Sequence, residues 1–146
     1  MARRVEMDRA ACAWQRVHDE VLMKENAEVH KVYGTRARDL TALIHTDGLG
    51  QTLAFLLAKS KAGDKDKGKP ETPSQLAHRL LFQHISLWVL QQVPSPGGIK
   101  DHLLLALIAG ESTYYRRATV ETLAFAGWLK KFAEAEFGNE IVDVDR

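Results

Sequence analysis

ETPSQLAHRLLFQHISLWVLQQV, residues 71–93, is the stretch that decides the fold of this 146-residue chain. Thr72 precedes Pro73 and stands three residues before Gln75, a spacing that predicts a capping box at the start of a helix. The side chains that follow are apolar around most of the helical circumference. They leave a narrow polar ribbon, formed by Gln75, Arg79, Gln83 and Ser86. A helix that is apolar nearly all round belongs inside a protein, so we predict that this segment is the central helix.

The chain before this segment reads as further helices. Residues 3–32 contain neither proline nor glycine, and their apolar side chains recur at helical spacing, namely at Met7, Ala10, Trp14, Val17 and Val21. This pattern predicts one long amphipathic helix. Gly34 is expected to end it and Thr35 to cap a second helix, which Asp47 and Gly48 should break.

A third helix, expected from Leu49, has no polar side. Leu53, Leu56 and Leu57 fall on one face, and the opposite face carries Gln51, Ala54, Phe55 and Ala58. A helix that is apolar on two faces is either sunk in the core or covered by another subunit. We therefore predict a partner interface at Phe55, Gln51 and Ala58, with Lys59 at its rim.

Beyond the central helix, the connector PSPGG leads into a short helix from Ile99 to Ala109, closed by Gly110. A long last helix should follow and end at Gly138. Its expected inward stripe consists of Tyr114, Ala118, Phe125, Trp128, Leu129 and Phe132. No stretch alternates as a strand does, so we predict one all-α domain over residues 1–146, a compact bundle of five to six helices with a mobile loop at about 61–71.

Composition limits the classes of function. Twenty Lys and Arg against nineteen Asp and Glu leave a net charge of +1, so a nucleic-acid surface would have to come from local clustering. The single cysteine, Cys12, rules out an internal disulfide and fits a reducing compartment as a small buried side chain. No apolar run has the length of a signal peptide core or a membrane span, which predicts a cytoplasmic protein without membrane association.

The sequence contains no recognisable catalytic or metal-binding motif. Its six histidines form no H-x-x-x-H pair and have no cysteine partner. No G-x-S-x-G elbow, P-loop or dinucleotide fingerprint is present, and the acidic residues mostly stand within four positions of a base. We expect no metal, no cofactor, no small-molecule substrate and no enzymatic activity.

Basic residues beside aromatic ones are the remaining functional candidates. Arg36 and Arg38 have no acidic residue four positions on, which favours contact with phosphates. On the last helix, Tyr115 could stack on a base, and Arg116, Lys130 and Lys131 lie on the outward side. Two ion pairs compete with RNA binding there, since Arg117 stands four residues before Glu121 and Lys130 four before Glu134. The sequence alone leaves these alternatives open.

Two stretches resemble a known family. YGTRARDLTALIHTDGLGQTLAFLLAK (33–59) and YYRRATVETLAFAGWLKKFAEAEF (114–137) are similar to the small subunit, often called the fifth Cmr subunit, of the type III-B CRISPR RNA-guided effector complex. The likeness lies in the order of packing residues, and with chain length and the long N-terminal helix it covers most of the chain. Thr41 and Asp47 depart from the pattern, where relatives often carry proline and asparagine; both are helix-start or turn positions.

The resemblance implies a non-catalytic, all-α subunit of antiviral defence. Such a subunit stacks in several copies along the subunits that carry the CRISPR RNA and helps to hold target RNA. Guide pairing supplies the sequence recognition, so contacts to backbone phosphate suffice. The expected phosphate contacts are Arg36, Arg38, Lys59, Arg116, Arg117, Lys130 and Lys131. A helical adaptor that binds only protein is the alternative, and a small α-helical hydrolase would need a polar cluster that the sequence does not supply.

Overall fold

The computed structural model describes residues 2–61 and 68–138, and this part of the chain is helical without any strand. It contains six α-helices: α1 (Ala2–Gln15), α2 (Ala27–Asp47), α3 (Leu49–Ser60), α4 (Pro73–Gln92), α5 (Leu103–Ala109) and α6 (Ser112–Phe137). The predicted all-α bundle is confirmed. None of the described helices has both the length and the apolar character needed to cross a bilayer. The middle of the predicted mobile loop, residues 62–67, lies outside the described residues.

Helix α4 lies at the centre, as its sequence predicts. The hydroxyl of Thr72 accepts the N–H of Gln75 at 3.1 Å, and the side-chain oxygen of Gln75 accepts the N–H of Thr72 at 2.9 Å, which completes the capping box. The predicted polar ribbon is wrong at one position. Ser86 is fully buried and its hydroxyl accepts the N–H of Leu103 at 3.1 Å, so that it anchors the start of α5. Leu87 takes the outward position instead and is 40 % exposed.

The predicted break at Gly34 is wrong. Helix α2 runs through Gly34, which is buried, and the chain turns earlier, at Glu25 with a φ of 53°. Asn26 starts α2 because its side chain accepts the N–H groups of Glu28 and Val29 at 3.0 and 3.2 Å. A glycine inside a helix costs about 1 kcal/mol, which the packing of a buried helix readily offsets. Thr35 therefore lies within a helix and caps nothing.

The predicted single helix over residues 3–32 is wrong, since α1 ends at Gln15. Of the predicted apolar stripe, Val17 and Val21 are fully buried as expected, whereas Met7 and Trp14 are 51 % and 42 % exposed. The cause is a π-helical turn, Arg16–Val21, followed by a short 3₁₀ turn, Leu22–Lys24. A π-helical turn holds more residues than an α-helical turn and so rotates the face that the helix presents to the core.

Aromatic contacts and hydrogen bonds join helix α6 to α1, α2 and α4. Trp88 of α4 stacks on Phe125 at a centroid distance of 5.7 Å, and Phe137 lies edge-on to Tyr33 of α2 at 6.5 Å. The carboxylate of Glu121 accepts two bonds from Arg9 of α1, at 2.7 and 3.0 Å, and one from the indole N–H of Trp88 at 2.9 Å. We call this three-helix contact the Glu121 clamp.

Of the predicted α6 stripe, Tyr114, Ala118, Phe125 and Leu129 are buried, while Trp128 and Phe132 are only partly covered. Phe132 meets Trp14 edge-on at 5.4 Å, and Trp128 stacks on Phe132 at 5.5 Å. These rings line the seam between α1 and α6.

A network of polar groups leads from the buried Tyr33 and His84 to the partly exposed Glu20 and Arg16. The Tyr33 hydroxyl lies 2.8 Å from Nδ1 of His84, and Nε2 of His84 lies 3.0 Å from Glu20, which also pairs with Arg16. A carboxylate only accepts hydrogen bonds, so Nε2 of His84 carries the proton and Nδ1 accepts from Tyr33. Burial lowers the pKa of His84, and the bonds that His84 and Arg16 donate lower the pKa of Glu20 to about 2. Every member of the network thus has a partner.

Gly48 makes the sharp turn between α2 and α3, as the sequence predicts. It has a φ of 88°, and a Cβ built on it would lie 3.1 Å from the hydroxyl oxygen of Tyr115. That oxygen accepts the N–H of Gly50 at 2.9 Å and so fixes the turn against α6. A side chain at position 48 would strain the backbone and displace Tyr115.

Substitution of Gly48 by alanine is therefore expected to lower the free energy of unfolding by about 1–2 kcal/mol, measured by chemical denaturation. Gly127→Ala is the matched control, because Gly127 lies within α6 with open space around it. Removing a helical glycine there should raise stability by about 0.5–1 kcal/mol. Equal stability of the two variants would contradict this account of the turn.

Candidate nucleic-acid interface

Two of the predicted phosphate contacts, Arg36 and Lys59, meet at one aromatic ring. The guanidinium carbon of Arg36 lies 4.8 Å from the ring centroid of Phe55, and the Lys59 ammonium lies 5.8 Å from it. His78 meets the same ring edge-on at 6.1 Å. We call these four side chains the Phe55 cluster. Cations over an aromatic face are held by the ring's quadrupole while their remaining N–H groups face outward.

Three helices supply the Phe55 cluster. Arg36 comes from α2, and Phe55 and Lys59 come from successive turns of α3, since they are four residues apart. His78 stands in the second turn of α4, just after the capping box. The turn at Gly48 folds α3 back beside α2, and α4 packs across both. The cluster is therefore placed by the packing of these three helices.

His78 is a neutral acceptor in this cluster. Nε of Arg36 donates to Nε2 of His78 at 3.1 Å, and Nδ1 of His78 lies 2.7 Å from the carbonyl oxygen of Ser74. Because a guanidinium only donates and a carbonyl only accepts, Nε2 has the lone pair and Nδ1 the proton. Burial lowers the pKa of His78, and the charges of Arg36 and Lys59 lower it further.

The positive charge of Arg36 and Lys59 has no acidic counterpart in residues 2–61 or 68–138. No carboxylate there forms a salt bridge with either side chain. Nε of Arg36 is occupied by His78, so the donors that remain are its two terminal amino groups. Two adjacent cations without a carboxylate, presented beside an aromatic ring, form a site suited to a phosphate.

Arg38 lies on the same helix as Arg36 in a different electrostatic setting. Its Nε is 4.0 Å from Oδ1 of Asp39, and its side chain is largely buried. The neighbouring acid partly neutralises Arg38, so it adds less to a positive surface than Arg36 does.

Arg116 and Arg117 are exposed near the start of α6. They line a groove of about 640 Å³ together with Val5, Val93 and Val120. The expected ion pair between Arg117 and Glu121 is not formed. The carboxylate of Glu121 instead accepts hydrogen bonds from Arg9 and Trp88, which belong to other helices.

Lys130 and Lys131 lie exposed farther along α6. The ammonium of Lys131 is 5.7 Å from the ring centroid of Trp128, and no salt bridge joins Lys130 to Glu134. From position 116 to position 130 the helix rises about 21 Å, so these lysines and the arginines form separate positive sites. Tyr115, the candidate for base stacking, is partly buried because its hydroxyl holds the turn at Gly50.

The three residues of the predicted partner interface differ in how exposed their side chains are. Gln51 and Ala58 are exposed on α3, whereas Phe55 is partly buried, with Arg36 and Lys59 over its ring. The outward side of α3 is therefore more cationic than its sequence alone indicates, since Arg36 reaches it from α2.

Sequence reasoning missed His78 as part of the site. The spacing of the six histidines favours surface or capping positions, and His102 does cap α5 by accepting the N–H of Leu105 at 3.2 Å. His30, His78 and His84 are buried instead, so this interpretation is wrong for them. The bond between Arg36 and His78 joins residues 42 positions apart. No local pattern predicts such a bond, because it depends on how α2 and α4 pack.

The described residues hold no group of three His, Cys, Asp or Glu side chains that could bind a metal ion. Cys12 lines a cavity of about 520 Å³ with Arg16, Trp88 and Lys100. Burial raises the pKa of its thiol, which makes the nucleophilic thiolate scarcer at neutral pH.

The chain matches a model of a protein family. The model described as "CRISPR-associated protein (Cas_Cmr5)" matches residues 5–136. The matched range takes in the Phe55 cluster, the Gly48 turn and nearly all of α1 and α6.

Proposed function

The chain belongs to the Cas_Cmr5 family of CRISPR-associated proteins, and from this membership we propose its role within the effector complex. Membership makes it a subunit of a Cmr complex in CRISPR defence. The proposed role is that of a non-catalytic small subunit of the type III-B complex, in the cytoplasm. In it, several copies stack along the subunits that carry the CRISPR RNA and hold target RNA without reading its sequence.

The observation that carries the RNA-binding part is the Phe55 cluster. Arg36 and Lys59 converge on one ring, they lack a carboxylate partner in the described part of the chain, and three helices fix their position. Guide pairing recognises the sequence in such complexes, so the protein needs only to bind phosphate. Paired cations with free N–H groups meet that need.

The other predicted cations are proposed as secondary contacts. Arg116 and Arg117 form one exposed positive site on α6, and Lys130 and Lys131 form another. Arg38 ranks below them because of Asp39. A long RNA strand touches a protein at several separate points, and each phosphate contact adds to the affinity.

The proposed non-catalytic role rests on the chemistry of the polar groups. Glu121 is occupied by Arg9 and Trp88, and Glu20 by Arg16 and His84. A general base or nucleophile has to reach a substrate from a cleft. These carboxylates and His84 serve to join helices instead.

The double variant Arg36→Ala/Lys59→Ala tests RNA binding in a reconstituted complex. We expect the affinity for target RNA to fall about tenfold and the slope of its salt dependence to drop by roughly one to two, because two phosphate contacts are lost. Filter binding or fluorescence anisotropy at several salt concentrations measures both.

The matched control is Lys24→Ala/Lys100→Ala, which removes the same charge from two exposed lysines outside the proposed contacts. It should leave the salt slope within error of the unaltered complex. If both double variants bind RNA equally well, the Phe55 cluster is not an RNA contact. Absence of any crosslink from the subunit to target RNA would favour the alternative, an adaptor that binds only protein through the exposed side of α3.

A further inference from the structure

We propose that His78 is a positioning residue that sets the Arg36 guanidinium for contact with an RNA phosphate, and that a proton on His78 releases it. The inference rests on the proposed RNA-binding role of the Phe55 cluster and concerns a residue that touches no RNA itself. It assigns a function to the one histidine that bonds directly to a proposed phosphate contact.

Two contacts fix the guanidinium plane. His78 binds its Nε edge at 3.1 Å, and the ring of Phe55 lies 4.8 Å from its central carbon. With Nε engaged, the edge left for a bidentate bond is the one formed by the two terminal amino groups. His78 thus selects which edge of Arg36 a phosphate can meet.

His78 can act in this way because its own orientation is fixed. Its Nδ1–H donates to the carbonyl oxygen of Ser74 at 2.7 Å, one helical turn earlier in α4. This bond determines the tautomer, and the tautomer leaves Nε2 as an acceptor aimed at Arg36. The side chain is almost fully buried, so water does not compete for Nε2.

Protonation of His78 removes the acceptor that Arg36 needs. Nε2 would then carry an N–H facing the Nε–H of Arg36, and two donors repel. The charged groups that face His78 are Arg36 from α2 and Lys59 from α3, and both are positive. A third positive charge there is unfavourable, so the guanidinium is expected to swing away from His78 and lose its fixed edge.

Nuclear magnetic resonance of the isolated full-length protein tests the bond without RNA. The ¹⁵N shifts of His78 should report an unprotonated Nε2 and a protonated Nδ1 at neutral pH. The Nε–H signal of Arg36 should be slow to exchange and should broaden or move as His78 titrates at acidic pH. A protonated Nε2 at neutral pH, or an Arg36 signal indifferent to that titration, would overturn the proposal.

Two substitutions test the consequence for RNA in the reconstituted complex. His78→Gln places an amide oxygen near the position of Nε2, where it accepts from Arg36 but does not titrate. We expect the unaltered complex to bind RNA more weakly at acidic pH. The His78→Gln complex should keep its RNA affinity at neutral pH within about twofold and should not show that weakening. His78→Leu removes the acceptor and should weaken binding about three- to tenfold, an effect that disappears when Arg36 is already alanine.

The outcomes separate this proposal from the one on which it rests. If Arg36→Ala weakens RNA binding and His78→Leu does not, the positioning role is wrong while the RNA contact stands. If Arg36→Ala has no effect, the RNA contact itself fails. If the RNA affinity of the unaltered complex rises at acidic pH, the added charge of His78 outweighs the loss of its acceptor. That result would contradict the proposed release of Arg36.

Discussion

Replacement of Glu121 by alanine is expected to lower the free energy of unfolding by about 3–5 kcal/mol. The substitution removes the acceptor for two bonds from Arg9 and one from the indole of Trp88. The Arg9 side chain is only 16 % exposed, so its charge would stay poorly hydrated without a counter-ion. The loss is large because partners from two other helices would be left unsatisfied together.

Chemical denaturation at neutral pH measures this loss. Glu134→Ala is the matched control, because Glu134 is exposed on the same helix and forms no salt bridge in the described residues. It should change stability by no more than about 0.5 kcal/mol. A double-mutant cycle with Arg9→Ala should give a coupling of about 1–3 kcal/mol. Independent, additive effects of Arg9 and Glu121 would mean that the clamp contributes nothing as a unit.

His84→Ala is expected to lower the free energy of unfolding at pH 7 by about 3–4 kcal/mol. The change opens a cavity beside fully buried side chains and leaves the Tyr33 hydroxyl without its acceptor. It also removes the N–H that stabilises the charge of Glu20. His45→Ala, at an exposed histidine of α2, should be nearly neutral.

The same variant should alter how stability depends on pH. Burial lowers the pKa of His84 below its ordinary value of 6.5. Below pH 6.5 the unfolded chain therefore binds a proton that the folded chain does not. The free energy of unfolding consequently decreases as the pH is lowered. Glu20, with a pKa lowered from 4.5 to about 2, adds a second loss between those two values. Both losses have the same sign, so the unaltered protein is acid-sensitive.

Unfolding curves at pH 7, 5.5 and 4 measure this dependence. His84→Ala should show a shallower fall in stability between pH 7 and 5.5 than the unaltered protein does. Stability that is constant or rises on acidification of the unaltered protein would contradict the assignment of a neutral, buried His84.

The features that the sequence predicted correctly depend on neighbouring residues. The capping box needs only Thr72 and Gln75, and the turn at Gly48 needs only a residue tolerant of positive φ. The errors arose where distant packing overrode a local preference. Gly34 looks like a helix end, yet burial keeps it helical, and the π-helical turn after Gln15 rotates the buried face away from Met7 and Trp14.

At the candidate site, too, the sequence predicted what depends on neighbouring residues and missed what depends on the packing of distant helices. Residue type alone identified Arg36, Lys59 and Phe55 as surface groups of interest, but not their convergence on one ring. The i, i+4 rule predicted a pair between Arg117 and Glu121, and it failed because Arg9 and Trp88 offer three bonds to the same carboxylate. Spacing along a helix cannot reveal competition from another helix.

The contacts of α6 also bear on how the protein is made. Glu121 and Phe137 of α6 contact α1 and α2, so these two helices lack their main partner until α6 has been translated. At a synthesis rate of about 5–20 residues per second, a nascent chain spends several seconds with those apolar faces uncovered. The packing of α1 and α2 is therefore completed late, after α6 has emerged from the ribosome.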